Sequence, residues 1–308
     1  MQECTTEPGY VRVRYRYATA WFLTLACVVS MLFLSSGCRN AKRTVPYQES
    51  AKWSVQPQEG GQKSIESGGL ERTYLVHLPP SYMKGTPTPL LIAFHGGGGD
   101  GEGMERLTHM DDVGFVRDLL KQLESDYSID AKRVYATGIS NGGFMSYRLA
   151  LDLNGTFAAV APVGALMTEQ LYGKPPPASP VSVLLVMGKD DPFVPWSGGD
   201  VTAGLRNRGT VVSTAATIEY WLKADGCAAT AAISELPDSD PSDGTRARVE
   251  LYGGGREGTA VELIAVEGGG HTWPGGLQYL RERTIGKTSR DFDASEVIWD
   301  FFKQHPQV

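Results

Sequence analysis

The chain has 308 residues, and its 29 basic and 35 acidic side chains give a formal net charge of −6 at pH 7. An acidic chain without a basic stripe is not typical of nucleic-acid-binding proteins, so we predict no nucleic acid partner. Once the N-terminal segments described below are set aside, about 250 residues remain, which suits one sizeable α/β domain rather than two.

The N-terminal segment has the pattern of a targeting signal. Three arginines within residues 12–16 precede an uncharged run over residues 18–36, which is followed by Gly37 and Cys38. This resembles a bacterial lipoprotein signal, and the resemblance implies that residues 1–37 are removed and Cys38 is lipidated. The protein would then be an extracytoplasmic, membrane-attached or secreted protein. The alternative is an uncleaved membrane anchor, because 19 uncharged residues nearly span a bilayer.

Residues 38–64 are polar and contain Pro46 and Pro57, so they are predicted to form a linker. The folded domain is predicted over residues 65–308. Beyond Cys38 the only cysteine is Cys227, which excludes a disulfide or a cysteine zinc site within the mature chain. We predict neither a metal nor a cofactor.

Short β-branched and apolar runs alternate with helical patterns along this domain. Strands are predicted at 74–78, 90–94, 133–137, 160–163, 183–187 and 261–266, and helices at 113–124 and 213–223. A last helix starts at Asp293, with Glu296 three residues later as in a capping box. Strands alternating with helices predict a mainly parallel sheet with right-handed crossovers.

Residues 138–142 read Gly-Ile-Ser-Asn-Gly, the form that places a serine at a sharp turn between a strand and a helix. A predicted strand precedes them, and Phe144, Tyr147 and Leu151 follow at helical spacing. Glycines at positions 138 and 142 let such a turn pack closely against other backbone. Ser140 is therefore the candidate nucleophile, and the alternative is a Gly/Ser turn without chemistry.

A serine nucleophile needs a base, and the chain offers five histidines. Four occupy ordinary structural contexts: a strand (His77), the start of a glycine run (His95), a helical stretch (His109) and the C-terminal tail (His305). His271 instead lies on a loop after the last predicted parallel strand, where catalytic residues of parallel sheets collect. We predict His271 as the base, against the alternative of a loop histidine bonded to backbone.

The acid is expected between the serine and the histidine in the sequence. Asp190 and Asp191 both follow the predicted strand 183–187. Asp191 precedes the rigid Pro192 and is the preferred acid, whereas Asp190 is expected to be a solvated turn residue. The order Ser140, Asp191, His271 is that of the α/β-hydrolases.

The reaction also needs hydrogen-bond donors for the developing oxyanion. The backbone N–H of Asn141, at the start of the helix, and that of Gly97, in the glycine run 96–99, are the candidates. The glycine run could instead be a flexible turn or a phosphate cradle, although it lacks the Lys-Ser/Thr ending of a P-loop. Trp196 and Trp273 flank the acid and the base and line the substrate cleft, unless they serve only in packing.

Four segments together resemble a known family. Residues 95–99, 129–135, 138–143 and 269–275 look like the polyhydroxybutyrate-depolymerase-type esterases, which are similar to the feruloyl and acetyl-xylan esterases of carbohydrate esterase family one. The resemblance covers about residues 68–304. It implies an α/β-hydrolase fold, serine carboxylesterase activity, no cofactor and secretion. It also supports Ser140, Asp191, His271 and the glycine loop in the roles given above.

Two features depart from that family. Met110 runs directly into an Asp-Asp-Val-Gly-Phe helix start, so a strand that usually precedes it is missing and the sheet is expected to have one strand fewer than usual. Cys227 resembles a family cysteine that is often disulfide-bonded, but its partner position holds Gly255.

The sequence therefore predicts an envelope-anchored serine esterase with an open site. Its substrate would be a polymeric or bulky ester, either a feruloyl or acetyl polysaccharide or a polyhydroxyalkanoate. Two alternatives stay open: a catalytically impaired surface lipoprotein that acts as a binding module, and a serine peptidase.

Overall fold

A ten-stranded sheet runs through the computed structural model, which describes residues 11–15, 61–96, 111–203 and 206–308. Its strands are β1 (Val11–Tyr15), β2 (Gly61–Ser67), β3 (Leu70–His77), β4 (Thr88–Phe94), β5 (Ile129–Ile139), β6 (Ala159–Val163), β7 (Ser182–Gly188), β10 (Ala232–Glu235), β11 (Arg246–Tyr252) and β12 (Val261–Glu267). The spatial order is β10-β11-β12-β7-β6-β5-β4-β1-β3-β2. A separate hairpin pairs β8 (Gly199–Ala203) with β9 (Arg206–Val211).

The centre of the sheet is parallel, as the alternation of strands and helices predicts. Six neighbouring strands, from β12 to β1, run in the same direction. Every residue of β4, β6 and β7 is buried, which explains their continuous apolar sequences. The antiparallel pairs β2–β3 and β10–β11 flank this centre.

Helices follow the strands and cover the sheet. They are α1 (Asp112–Asp126), α2 (Asn141–Asp152), α3 (Glu169–Tyr172), α4 (Thr214–Asp225), α5 (Glu282–Ile285) and α6 (Ala294–Gln304). The helices predicted at 113–124, at 213–223 and after Asp293 are confirmed. Asp293 caps α6 by accepting a hydrogen bond from the Ser295 N–H at 2.7 Å. None of the described helices has the length and apolar character needed to cross a membrane.

The N-terminal strand β1 lies beside β4 in the sheet. β1 pairs parallel to β4, with Val13 opposite Ile92, and antiparallel to β3, with Val13 opposite Val76. In the described chain β1 therefore occupies this position, whereas residues 97–110, where the usual family strand is expected to be missing, lie outside the described residues. Backbone N–H and C=O groups along a sheet need partners, and β1 supplies them to both neighbours. The predicted processing before Cys38 would remove this strand.

The domain boundary also shifts. β2 begins at Gly61, so residues 61–64 belong to the sheet rather than to the predicted linker 38–64. The remainder of that linker, with Cys38, lies outside the described residues, as do the uncharged run 18–36 and Gly97.

Candidate active site

Ser140 occupies the sharp turn that the sequence predicts. It lies between the last residue of β5 and the first residue of α2, and its backbone angles are φ 56° and ψ −118°. A non-glycine residue with positive φ is strained, and such residues concentrate at functional sites. This backbone conformation turns the chain sharply from the strand into the helix, and the serine at the turn stays partly exposed.

The glycines around Ser140 are required by close backbone approach. A Cβ on either Gly138 or Gly142 would come within 2.5 Å of the carbonyl oxygen of Phe94, the last residue of β4. A Cβ on Gly143 would come within 2.6 Å of the Ala165 methyl group. Because these glycines have no Cβ, the turn can pack closely against the ends of the two neighbouring strands.

Ser140 also has contacts on both sides of the turn. Its backbone N–H donates to the carbonyl oxygen of Val163, at the end of β6, at 2.9 Å. On the other side, the position of a Cβ on Gly96 lies 3.6 Å from the Ser140 Cβ. His95 braces the start of the glycine run, with its Nδ1 2.6 Å from the Gly96 carbonyl oxygen. Ser140 thus stands between the end of β6 and the glycine run.

Asp191 is buried on the loop after β7, and both of its carboxylate oxygens have hydrogen-bond partners. Its Oδ1 accepts the backbone N–H groups of Phe193 and Val194 at 2.8 and 2.9 Å. Its Oδ2 lies 2.7 Å from Nδ1 of His271. Asp190 is exposed. The carboxylate that contacts the histidine is therefore that of Asp191, which the sequence favours.

His271 is only 4% exposed, and its contacts fix the orientation of the ring. Its main-chain N–H donates to the Ile285 carbonyl oxygen, and its carbonyl oxygen accepts the Tyr279 hydroxyl at 2.8 Å. The edge-on ring of Phe193 lies 5.1 Å from the imidazole, centroid to centroid. Because Asp191 accepts at Nδ1, the imidazole keeps Nε2 free to accept a proton from another group.

Gly164 connects the two halves of the site. It directly follows Val163, to which Ser140 is hydrogen-bonded, and it has φ +55°. A Cβ at this position would lie 3.2 Å from Nδ1 of His271 and 3.6 Å from Oδ2 of Asp191. The backbone partner of the serine and the residue against which the imidazole packs are therefore adjacent in the chain, so all three candidate residues lie at the same edge of the sheet.

The remaining predicted residues have clear positions. Asn141 is the first residue of α2, so its N–H is not used within the helix. The indole N–H of Trp273 donates to the Ser295 hydroxyl at 3.2 Å and its ring packs on the core, so packing accounts for its position. The ring of Trp196 lies under the Lys189 ammonium, 5.3 Å from its centroid.

Gly164, Phe193 and Tyr279 contact the acid–base pair, and sequence reasoning missed all three. The one available signal was for Gly164, a glycine directly after a predicted buried strand. In the part of the chain that the structure describes, no three His, Cys, Asp or Glu side chains are grouped to hold a metal ion.

A serine at a strained strand-to-helix turn, with a buried Asp–His pair on later strand ends of a mainly parallel sheet, defines an α/β-hydrolase fold. No protein-family model matches the chain. It is 30% identical over 288 residues to the "Putative esterase NocK" of Nocardia uniformis subsp. tsuyamanensis, a match that covers 78% of this chain and 81% of that protein.

A further relative and a solved structure are similar to parts of this chain. "Feruloyl esterase B" of Piromyces equi is 31% identical over 166 residues, which cover 53% of this chain and 29% of that enzyme. The solved acetyl xylan esterase from Aspergillus awamori covers 80% of this chain and 100% of its own, at 13% identity and a TM-score of 0.47.

The chain therefore belongs to the family of esterases that includes NocK, and it is a carboxylic ester hydrolase.

Proposed function

We propose that the protein is an extracytoplasmic serine carboxylesterase that hydrolyses the esters of a bulky or polymeric substrate through a Ser140–His271–Asp191 triad. The observation that supports this most strongly is the buried Asp191–His271 pair, whose side chains are 2.7 Å apart. The pair packs against Gly164, which directly follows Val163, the backbone hydrogen-bond partner of Ser140. The substrate class is supported by the similarity to a feruloyl esterase. A feruloyl or acetyl polysaccharide is accordingly the first candidate, and a polyhydroxyalkanoate the second.

In the proposed first step, Ser140 Oγ attacks the ester carbonyl carbon while His271 Nε2 takes the hydroxyl proton. Asp191 accepts the Nδ1 proton in a hydrogen bond, which holds the tautomer and stabilises the imidazolium. His271 then gives its proton to the leaving alcohol, and an acyl-enzyme remains on Ser140. A water molecule, deprotonated by the same imidazole, releases the acid.

Two backbone N–H groups are proposed to stabilise the oxyanion of each tetrahedral intermediate. Asn141 begins α2, where the helix dipole adds to the N–H donor. Gly97 is the proposed second donor, because the glycine run starts against Ser140. Loss of one oxyanion donor typically costs about 2.7–4 kcal/mol of transition-state stabilisation.

The location is proposed from the N-terminal segment. Its lipoprotein-type signal would deliver the domain across a membrane and leave a lipid on Cys38. An acidic domain attached in this way would face soluble polymers rather than cytoplasmic metabolites.

The test is hydrolysis of p-nitrophenyl acetate by the purified chain and by Ser140→Ala. We expect kcat to fall at least about a thousandfold, because the residual rate of such variants comes from the oxyanion donors and binding alone. Ser234→Ala, on the exposed strand β10, is the matched control and should retain full activity. Equal rates for Ser140→Ala and the unaltered chain would reject the mechanism.

A further inference from the structure

An arm of the chain next to the acid–base pair displays apolar side chains to solvent. Residues 275–284, here called the 275–284 arm, are all exposed. Leu277, Tyr279 and Leu280 within it are 73%, 51% and 50% exposed. These are three of the nine large hydrophobic side chains that are exposed in the described part of the chain, and they fall within four consecutive positions. Clustered exposure of this kind marks a binding surface rather than ordinary scatter.

The side chain of Gln278 makes three of the hydrogen bonds that hold the arm in place. Gln278 donates from Nε2 to the carbonyl oxygens of Leu280 and Gly286, both at 2.9 Å. Its Oε1 accepts the Thr288 N–H at 2.9 Å. The backbone that carries the apolar residues is therefore ordered before any ligand arrives, which lowers the entropy cost of binding to it.

Two hydrogen bonds join the arm and the residue that follows it to the proposed base. The Tyr279 hydroxyl donates to the His271 carbonyl oxygen at 2.8 Å, and the His271 N–H donates to the carbonyl oxygen of Ile285, just after the arm. Burial raises the pKa of Tyr279, and the negative charge of Asp191 raises it further. The tyrosine is therefore close enough to Asp191 for the carboxylate charge to act on it. Leu280 follows the tyrosine directly in the chain, and Leu277 lies two residues before it.

We propose that the 275–284 arm is the subsite for an aromatic group of the ester substrate, such as the phenylpropenoyl group of a feruloyl ester. This assignment rests on the proposed esterase function and adds where the substrate is recognised. An acetyl group is too small to contact the arm and to bury apolar surface against the two leucines. A bare sugar chain is too polar to do so. A flat aromatic acyl group can cover the leucines and lie against the edge of the tyrosine ring.

The test compares two methyl esters that share their alcohol, methyl ferulate and methyl acetate, with the purified full chain. In the double variant Leu277→Ser, Leu280→Ser, we expect the ratio of kcat/KM for methyl ferulate to that for methyl acetate to fall about tenfold. That fold-change corresponds to about 1.4 kcal/mol, in line with the partial burial of two leucine side chains. The loss should fall mainly on KM for methyl ferulate.

Two control variants keep the test specific. Ile233→Ser removes a similarly exposed side chain, 60% exposed on β10, and should leave the ratio unchanged. Leu277→Met with Leu280→Met keeps apolar surface and should preserve the ratio. Thermal melting should be the same for all these variants, because none of the substituted side chains is buried.

Several results would overturn the assignment. An unchanged ratio in the serine double variant would do so, as would hydrolysis of methyl acetate but not of methyl ferulate by the unaltered chain. Loss of vesicle binding or of a dimer in the double variant, with the ratio intact, would assign the arm to a lipid surface or a second copy instead. If the unaltered chain hydrolyses neither ester and a fluorophosphonate does not label Ser140, the proposed function fails and this assignment fails with it.

Discussion

A buried aspartate lies near each end of strand β7, Asp191 on the loop after the strand and Asp225 at the end of helix α4, and the two carboxylates differ in their hydrogen bonds. Beyond the carboxyl end, Asp191 accepts two backbone N–H groups and contacts His271. At the amino end, Asp225 accepts one N–H, from Val181 at 3.0 Å, and its Oδ2 is buried without a hydrogen-bond partner in the described structure. Burial raises the pKa of Asp225 to about 7.

The difference supports the proposed role of Asp191 as the acid and gives Asp225 no such role. A buried carboxylate whose two oxygens both have hydrogen-bond partners can hold a neighbouring group in one orientation, as Asp191 holds the imidazole. A buried carboxylate with a free oxygen costs stability whenever it is ionised. Burial alone therefore does not distinguish the proposed acid, Asp191, from Asp225, whereas the number of hydrogen-bond partners does.

The largest expected effect is the loss of catalytic rate when the charge of Asp191, beyond the carboxyl end of β7, is removed. Asp191→Asn keeps the shape of the side chain but presents an amide to Nδ1, which favours the wrong imidazole tautomer. We expect kcat for p-nitrophenyl acetate to fall about 10⁴-fold.

Asp225→Asn is the matched control at the other end of the same strand, and it should keep kcat within about twofold of the unaltered chain. A loss of similar size in both variants would mean that the two ends are not functionally distinct.

The second effect concerns stability and pH. Because the pKa of Asp225 is higher in the folded protein than its usual 3.8, the folded state binds this proton more tightly than the unfolded state. Its contribution therefore favours folding at low pH and is lost as the pH rises from about 4 to about 7.

In Asp225→Asn this dependence should disappear, so the variant should gain stability relative to the unaltered chain between pH 4 and pH 8. The upper limit is roughly 4 kcal/mol, at 1.36 kcal/mol for each unit of pKa. Urea unfolding at several pH values measures the gain, and parallel stability curves for the two proteins would contradict it.

The smallest effect uses Cys227, two residues beyond Asp225. A Cβ on Gly255 would lie 2.8 Å from the Cys227 Sγ, which is close to the geometry of a disulfide, although Thr259 must move to admit it. Gly255→Cys should form this bond under oxidising conditions. Closing a loop of about 29 residues adds roughly 3.5 kcal/mol in the chain-entropy relation, which the shift of Thr259 reduces to about 2 kcal/mol.

The gain should vanish on reduction and leave catalysis unchanged, since the bond lies at the amino ends of the strands. Gly255→Ser is the control for the new side chain without the bond. A disulfide variant no more stable than its reduced form would show that the approach of the two positions is not as described.

Much of the fold was predictable because its signals are local. The buried strands β4, β6, β7 and β12 are continuous apolar runs bounded by turn residues. The turn at Ser140 was predictable for the same reason, since a strand, two glycines and a helix stand next to one another in the sequence.

The misses have physical causes. β10 is exposed at every position, so no alternating pattern marks it. Residues 11–15 form a strand through partners more than 50 residues away, while locally they read as the charged start of a signal. Tyr279 reaches His271 through an exposed loop that carries no periodic pattern. Long-range pairing and loop packing are therefore the parts that a single sequence does not show.

The central claim is that Ser140 is an activated nucleophile, and covalent labelling tests it most directly. The chain is incubated with a fluorophosphonate, digested, and searched by mass spectrometry for the modified peptide. Rapid labelling at Ser140, abolished in Ser140→Ala and strongly slowed in His271→Ala, is the expected result. An unlabelled Ser140, or labelling that does not depend on His271, would contradict the account and favour a hydrolase fold kept only for binding.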